Sequence, residues 1–297
     1  ERGSLHISLE VVVLALQRTL CDGGAAQALS HDDKAAINSA LVALQEGKRL
    51  AHKLAHAMAH EGQERMYLNR VRQGLDDLEP GAMLPIPIAV GGSPIFMMVR
   101  RGTGADAELC TLAVVSCEAE ALGYHRAEAA PPKIKFETCL ELRDVHLDRL
   151  RDDALWAVMW YVSCSDPSDE EARMSPLKMM YEIVLSFVAG DALDQAILKS
   201  DESRAEAGDQ PPEFRTPRRS HSAHYGCVRH ALRYMLRSFG VGAQASSAIS
   251  LMLRAEMVAM AQHDLQFVRH VTPSERTIIH LACRQLAYKT AKLAQRQ

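Results

Sequence analysis

One cysteine in this chain stands where a nucleophile would be built. A Pro- and Arg-rich lead-in from Arg215 to Ser220 gives way to His221-Ser222-Ala223-His224-Tyr225-Gly226-Cys227, and Val228, Ala231, Leu232, Met235 and Leu236 then recur at helical spacing. This pattern predicts a helix from Cys227 to Phe239, opened by the cysteine itself. A thiol at a helix N-terminus feels the partial positive charge of the unpaired N–H groups, which stabilises the thiolate, the form that attacks carbon. Thiol hydrolysis also needs an imidazole within hydrogen-bond reach and an Asn or Asp to orient it. The candidate bases are His125, which follows Tyr124, and His224, in the loop ahead of the helix. The competing reading is that Cys227 is one of seven cysteines and only packs.

Other chemistries find less support. His52, His56 and His60 fall on one helical face, but no carboxylate accompanies them as in His-Glu-x-x-His, so structural or solvent-facing roles are expected. Gly102-Thr103-Gly104 lacks the lysine and the following helix of a phosphate loop. Arg215, Arg218 and Arg219, with His221 and His224, make a local basic strip, expected to be a solvated loop. No cofactor and no metal are implied.

Around these residues the chain is predicted to be mostly helical. Residues 1–78 read as a helical arm or the end of a preceding helical region, with helices at 5–20, 30–60 and 64–78. Ser30-His31-Asp32-Asp33 supplies an N-cap for the second. At Glu79-Pro80-Gly81 the texture changes. Two β-rich runs, Ile95–Arg101 and Leu109–Ser116, are joined by a Gly-containing polar loop and predict a hairpin, and Lys133–Glu137 predicts a third strand. Helices return at 147–161 and from Pro176, where a Ser-Pro step marks the start. Residues 200–220 are charged and poor in apolar side chains, which predicts a mobile loop. Three helices close the chain, over 227–239, 245–270 and 274–294. The expected organisation is therefore an arm at 1–78 and an α+β domain at 79–297, with its sheet within 83–137 and its helical part at 146–297.

At 297 residues the chain can bury a large core. A net charge of −3 and 5% aromatic residues argue against nucleic acid, and no apolar run is long enough to cross a membrane. Seven scattered cysteines without a C-x-x-C pair point to a reducing, intracellular and cytoplasmic setting. A first residue of Glu rather than Met is expected of a piece of a larger polypeptide.

Several short motifs resemble a family of large eukaryotic proteins that carry a permuted papain-like cysteine-hydrolase domain. They are Gly91-Gly92, Tyr124-His125, Ser175-Pro176 leading Tyr181-Glu182, Arg219-Ser220 before Gly226-Cys227, and Thr272-Pro273-Ser274-Glu275, which together span about 78–297. The resemblance implies an α+β, mostly helical fold with a small antiparallel sheet in a permuted papain-like arrangement. It also implies a His after the Gly-Gly step and an Asn upstream of Tyr-His. This sequence has Ser93 and Cys117 at those places, and a serine cannot take the thiol proton as an imidazole does. The resemblance then implies a catalytically degenerate domain that binds protein partners as a scaffold in a larger assembly. The rival is an active, deubiquitinase-like peptidase using Cys227 with a relocated histidine on a ubiquitin-like partner. A third reading is a purely structural helical subunit in which the hairpin is an insertion and Cys227 is inert.

Overall fold

The computed structural model describes residues 4–21, 29–165, 174–209, 211–217, 223–267 and 272–294. The elements run in the order α1 (Ser4–Cys21), α2 (His31–Ala59), α3 (Glu64–Asp76), β1 (Met83–Val90), β2 (Ser93–Arg101), β3 (Leu109–Val115), α4 (Ala119–Leu122), β4 (Ala127–Ala130), β5 (Lys133–Glu137) and β6 (Cys139–His146). There follow α5 (Leu147–Leu150), α6 (Asp153–Cys164), and α7, in which Pro176–Lys178 passes through a π-helical turn, Met179–Val184, into Leu185–Ala189. The last elements are α8 (Leu193–Glu206), β7 (Phe214–Arg215), α9 (Ala223–Ser238), α10 (Ala243–Phe267) and α11 (Pro273–Ala294). The fold is α+β and mostly helical, with a small antiparallel sheet packed on helices.

The chain divides into two compact units, and the division is not at residue 78. One unit comprises Glu1–Leu9 with Ala43–Tyr234, the other Glu10–Val42 with Met235–Gln297. The expected arm at 1–78 is corrected here: Leu50, Leu54, Tyr67, Val71 and Leu75 are buried in the same core as the strands. A stripe of apolar residues on a long helix must be covered by something, and the sheet is what covers it. The second unit buries Val12, Leu16, Ile37 and Ile249, and α10 packs on α11 within it.

Four strands form the main sheet in the order β1-β2-β3-β6, all antiparallel. Gly91 and Gly92, at φ +56° and +84°, make the two-residue turn that pairs Val90 with Ser93. Pro85 and Pro87 sit on β1, the edge strand, where a residue without an N–H is tolerated. They fall at alternate positions, so their backbone polar atoms face outward, and the Tyr67 hydroxyl on α3 donates to the Pro87 carbonyl at 2.9 Å. A second, three-stranded sheet runs β4-β5-β7.

Alternation along the strands separates two faces. Ile95, Met97, Val99, Leu112, Val114, Leu140 and Leu142 join the core with α3, α6 and α7. The opposite face carries Phe96, Met98, Ala113, Val115, Cys139 and Glu141, which the ladder sets side by side. Near its end β6 carries one extra residue: Cys110 pairs with Val145 and Leu112 with Leu142, so Arg143 and Asp144 both stand against Thr111. Asp144 takes a left-handed φ of +58° there.

The stretch expected as a mobile loop at 200–220 is corrected in part. Residues 201–206 continue α8, and Phe214–Arg215 pairs with β5. Of the charges that made it read as loop, Arg204 is buried, and Asp201 and Glu213 are partly so. Arg218, Arg219, Ser220 and His221 of the expected basic strip, and the Asp22-Gly23-Gly24 break, lie outside the described residues. Ser30 caps α2, accepting from the Asp33 N–H at 3.0 Å, and Ser175 caps α7, accepting from the Lys178 N–H at 3.2 Å.

Candidate functional site

Cys227 is not at a helix start. The helix is already formed at Ala223, so the thiol lies a full turn inside it, where the N–H groups are engaged in helix bonds and the terminal field has faded. Its side chain is fully buried against the sheet and donates to the Val115 carbonyl at 3.3 Å. Burial pushes the thiol pKa well up, and the neighbouring Cys117 and Cys139 thiols push it further. Cys117, also buried, donates to the Ala223 carbonyl at 3.1 Å. The two thiols thus stitch the end of β3 to the first turns of α9. Ser93, buried at the start of β2, occupies the same end of the sheet, three residues before Phe96, whose backbone N–H approaches the Cys227 sulfur.

His125 is buried, and both its nitrogens are taken. Nδ1 lies 2.8 Å from the Glu137 carbonyl and Nε2 lies 2.8 Å from the Tyr181 hydroxyl. A carbonyl can only accept, which assigns the proton to Nδ1 and leaves Nε2 to accept from the phenol. Burial lowers the ring's pKa to about 4, so it is neutral near pH 7. An imidazole with its lone pair already used is a structural strut. Tyr181 itself is held by the π-turn of α7, is fully buried, and stacks on Tyr124 with ring centroids 4.6 Å apart and planes 3° from parallel. The sequence singled out Tyr124-His125 and Tyr181-Glu182 separately; the fold brings Tyr124, His125 and Tyr181 into one cluster.

His224, expected in a loop able to fold back, is instead helical and half-buried in the first turn of α9. His230 is buried three residues beyond Cys227 on the same helix, whereas His56 and His60 stack at 4.4 Å, both exposed, and His6 meets the His52 ring edge-on at 5.1 Å.

The residues that sequence reasoning missed lie on the same sheet face, toward β6. Arg126 forks onto Glu137 at 2.7 and 2.8 Å and also bonds Asp201. Asp201 in turn accepts from Arg204 at 2.9 Å, and Arg204 donates to Glu141 at 2.6 and 3.0 Å. Arg204 and Glu141 are 8% and 7% exposed and Glu137 is fully buried, so this part of the row is desolvated, and Asp201 is shared between the two arginines. Burial pushes the Glu137 carboxyl above the usual range against the pull of Arg126. Arg204 and Glu141 stand 63 positions apart and Arg126 and Asp201 75, and no local pattern signals those pairs.

No family model and no curated protein sequence matches this chain. Among the described residues no helix is long and apolar enough to cross a membrane.

Proposed function

We propose that the chain is a catalytically silent relative of cysteine hydrolases that works as a protein-binding module of a larger assembly. The observation that carries this reading is the state of Cys227: fully buried, its proton donated to a backbone carbonyl, its pKa raised. A thiolate–imidazolium pair requires the opposite on each count. The convergence of Ser93, Cys117 and Cys227 on one end of the sheet supports the likeness to a papain-type layout whose base and orienting residue have been replaced. Binding is supported by neighbouring helices of the first unit that leave large apolar side chains in water: Tyr161 on α6, Ile183 and Phe187 on α7, and Leu198 on α8. A ubiquitin-like protein belongs to the active-peptidase reading, which the engaged ring of His125 disfavours.

Alkylation by iodoacetamide tests the silent thiol. In the folded protein the exposed Cys21 and Cys164 label first, and Cys227 stays unmodified across neutral and mildly alkaline pH. Labelling of Cys227 with an inflection below the free-thiol value of about 8.5 overturns the reading. For binding, photo-crosslinkers at 161 and 187 should each give one discrete adduct with the same partner in the native assembly, while the exposed position 202 gives none. Equal crosslinking from all three positions, or none, removes the binding part.

A further inference from the structure

The face of the sheet that carries Glu141 opens, beyond α8, into a cavity of about 410 Å³ that the thiol site does not use. That volume is in the range of small-molecule sites. Its walls come from the ends of β2 and β3, the irregular part of β6, the loop after β2 and the last turn of α8, all within one compact unit.

The strand register explains its floor. Arg100 pairs directly with Thr111, and Thr111 faces the extra residue of β6 at Arg143-Asp144. Three neighbouring strands therefore present Arg100, Thr111 and Arg143 in a row on one face, with the two arginine backbones about 10 Å apart, two strand spacings. Each of the three is partly shielded from water. Among the described residues the Arg100 guanidinium has no ion-pair partner, and the Nε of Arg143 is buried without a hydrogen-bond partner although its Nη2 reaches Asp209 at 2.5 Å and lies 3.6 Å from Glu141. Arg101, the third cation, is held by the Leu78 and Ala107 carbonyls at 2.8 and 2.7 Å. A buried donor left unpaired beside an unpaired guanidinium is the arrangement that an oxyanion completes.

The rim has the opposite sign. Asp106, Asp144 and Glu206 line the mouth and are exposed, and among the described residues only Asp144 is engaged, accepting from the Ser203 hydroxyl at 3.0 Å. Three arginines stand against three carboxylates in the lining, but Arg143 also pairs with Asp209 and Glu141 and Arg101 with Glu108, so among the described residues Arg100 is the floor cation left to be matched, with the carboxylates toward the mouth. Such a site repels a dianion at its entrance and rewards a molecule that is negative at its inner end and positive at its outer end.

We propose that this cavity binds a small zwitterion of the amino-acid class, its carboxylate between Arg100 and Arg143 over the Thr111 hydroxyl and its ammonium at Asp106 and Glu206. The full chain, followed by amide NMR, is titrated with 5-aminopentanoate, pentanoate, pentylammonium and inorganic phosphate. The expected order is 5-aminopentanoate above pentanoate, with pentylammonium and phosphate weakest and the shifts centred on residues 100–111 and 143–144. Arg100→Ala should weaken 5-aminopentanoate binding about tenfold, the effect of losing one charged hydrogen bond, with the unfolding midpoint unchanged. Asp106→Asn with Glu206→Gln should erase the preference over pentanoate. The proposal is overturned if no probe shifts these amides, if phosphate matches 5-aminopentanoate, or if Arg100→Ala leaves the affinity intact.

Discussion

At one end of the buried sheet face, Phe96, Val115 and Cys139 meet Cys227 of α9; toward β6, Glu141 and Arg143 meet Arg204 and Asp209 at the far end of α8. The first end is closed to water and contains single polar groups given to backbone carbonyls, whereas the second contains paired charges and opens at Arg143 onto the cavity. Desolvation acts on both. Where no counter-charge is present it pushes a group to its neutral form, as it does for Cys227 and His125. Where a counter-charge is fixed by a second element it opposes that push, as Arg126 does at Glu137, and the pairs hold α8 to β6 and to Arg126. A nucleophile needs the second kind of surroundings, and Cys227 has the first.

The contrast predicts effects of decreasing size. Arg204→Met leaves the buried Glu141 with only the more distant Arg143, at 3.6 Å, while Asp201 keeps Arg126, and should cost about 3–5 kcal/mol in denaturant unfolding, whereas the double variant with Glu141→Met should recover much of that. If single and double variants lose equally, the charges do not act as a pair. Next comes acid stability. The folded pKa of His125, about 4, lies below its unfolded value of about 6.5, so the folded state binds fewer protons. Its contribution is therefore complete above about pH 6.5 and is lost as pH falls toward 4, about 3 kcal/mol in all. Wild type should lose that much relative to His125→Gln over this window, and parallel pH curves would show that the ring is not buried neutral. Cys227→Ala should cost only about 1–2 kcal/mol at pH 6 and less at pH 9, because above the free-thiol value of about 8.5 the unfolded chain ionises there and the folded one does not. A loss that grows with pH would place charge at the thiol end. Smallest is Tyr67→Phe, which orphans the Pro87 carbonyl at about 1 kcal/mol.

How much of this was legible in the sequence follows from the same contrast. Strands β2 and β3 announce themselves because their faces are apolar and β-branched, and Ser30 and Ser175 mark helix starts by local chemistry. The prolines of β1 disguise an edge strand as irregular chain, since nothing local says that their outer side is an edge. Strand β6 and the last turn of α8 were hidden by Glu141, Arg143, Asp201 and Arg204, whose charges read as solvated until a partner for each is brought in from 63 or more positions away, beyond any local pairing. Cys227 was legible as a helical residue but not as an interior one. One extra turn of helix, beginning at Ala223, separates a thiol at a helix mouth from a thiol in a core.

The closure of the sheet's edges has a consequence for how this chain can associate. On β1 the outward positions 85 and 87 lack N–H groups and the Pro87 carbonyl is taken by Tyr67, while on β6 the Arg143 N–H is given to the Ser200 hydroxyl at 2.9 Å. An incoming extended peptide finds no free ladder on these stretches to extend. Strand-by-strand polymerisation through the main sheet is thereby blocked, and copies of this domain can be packed at high local density without seeding fibrils from those edges.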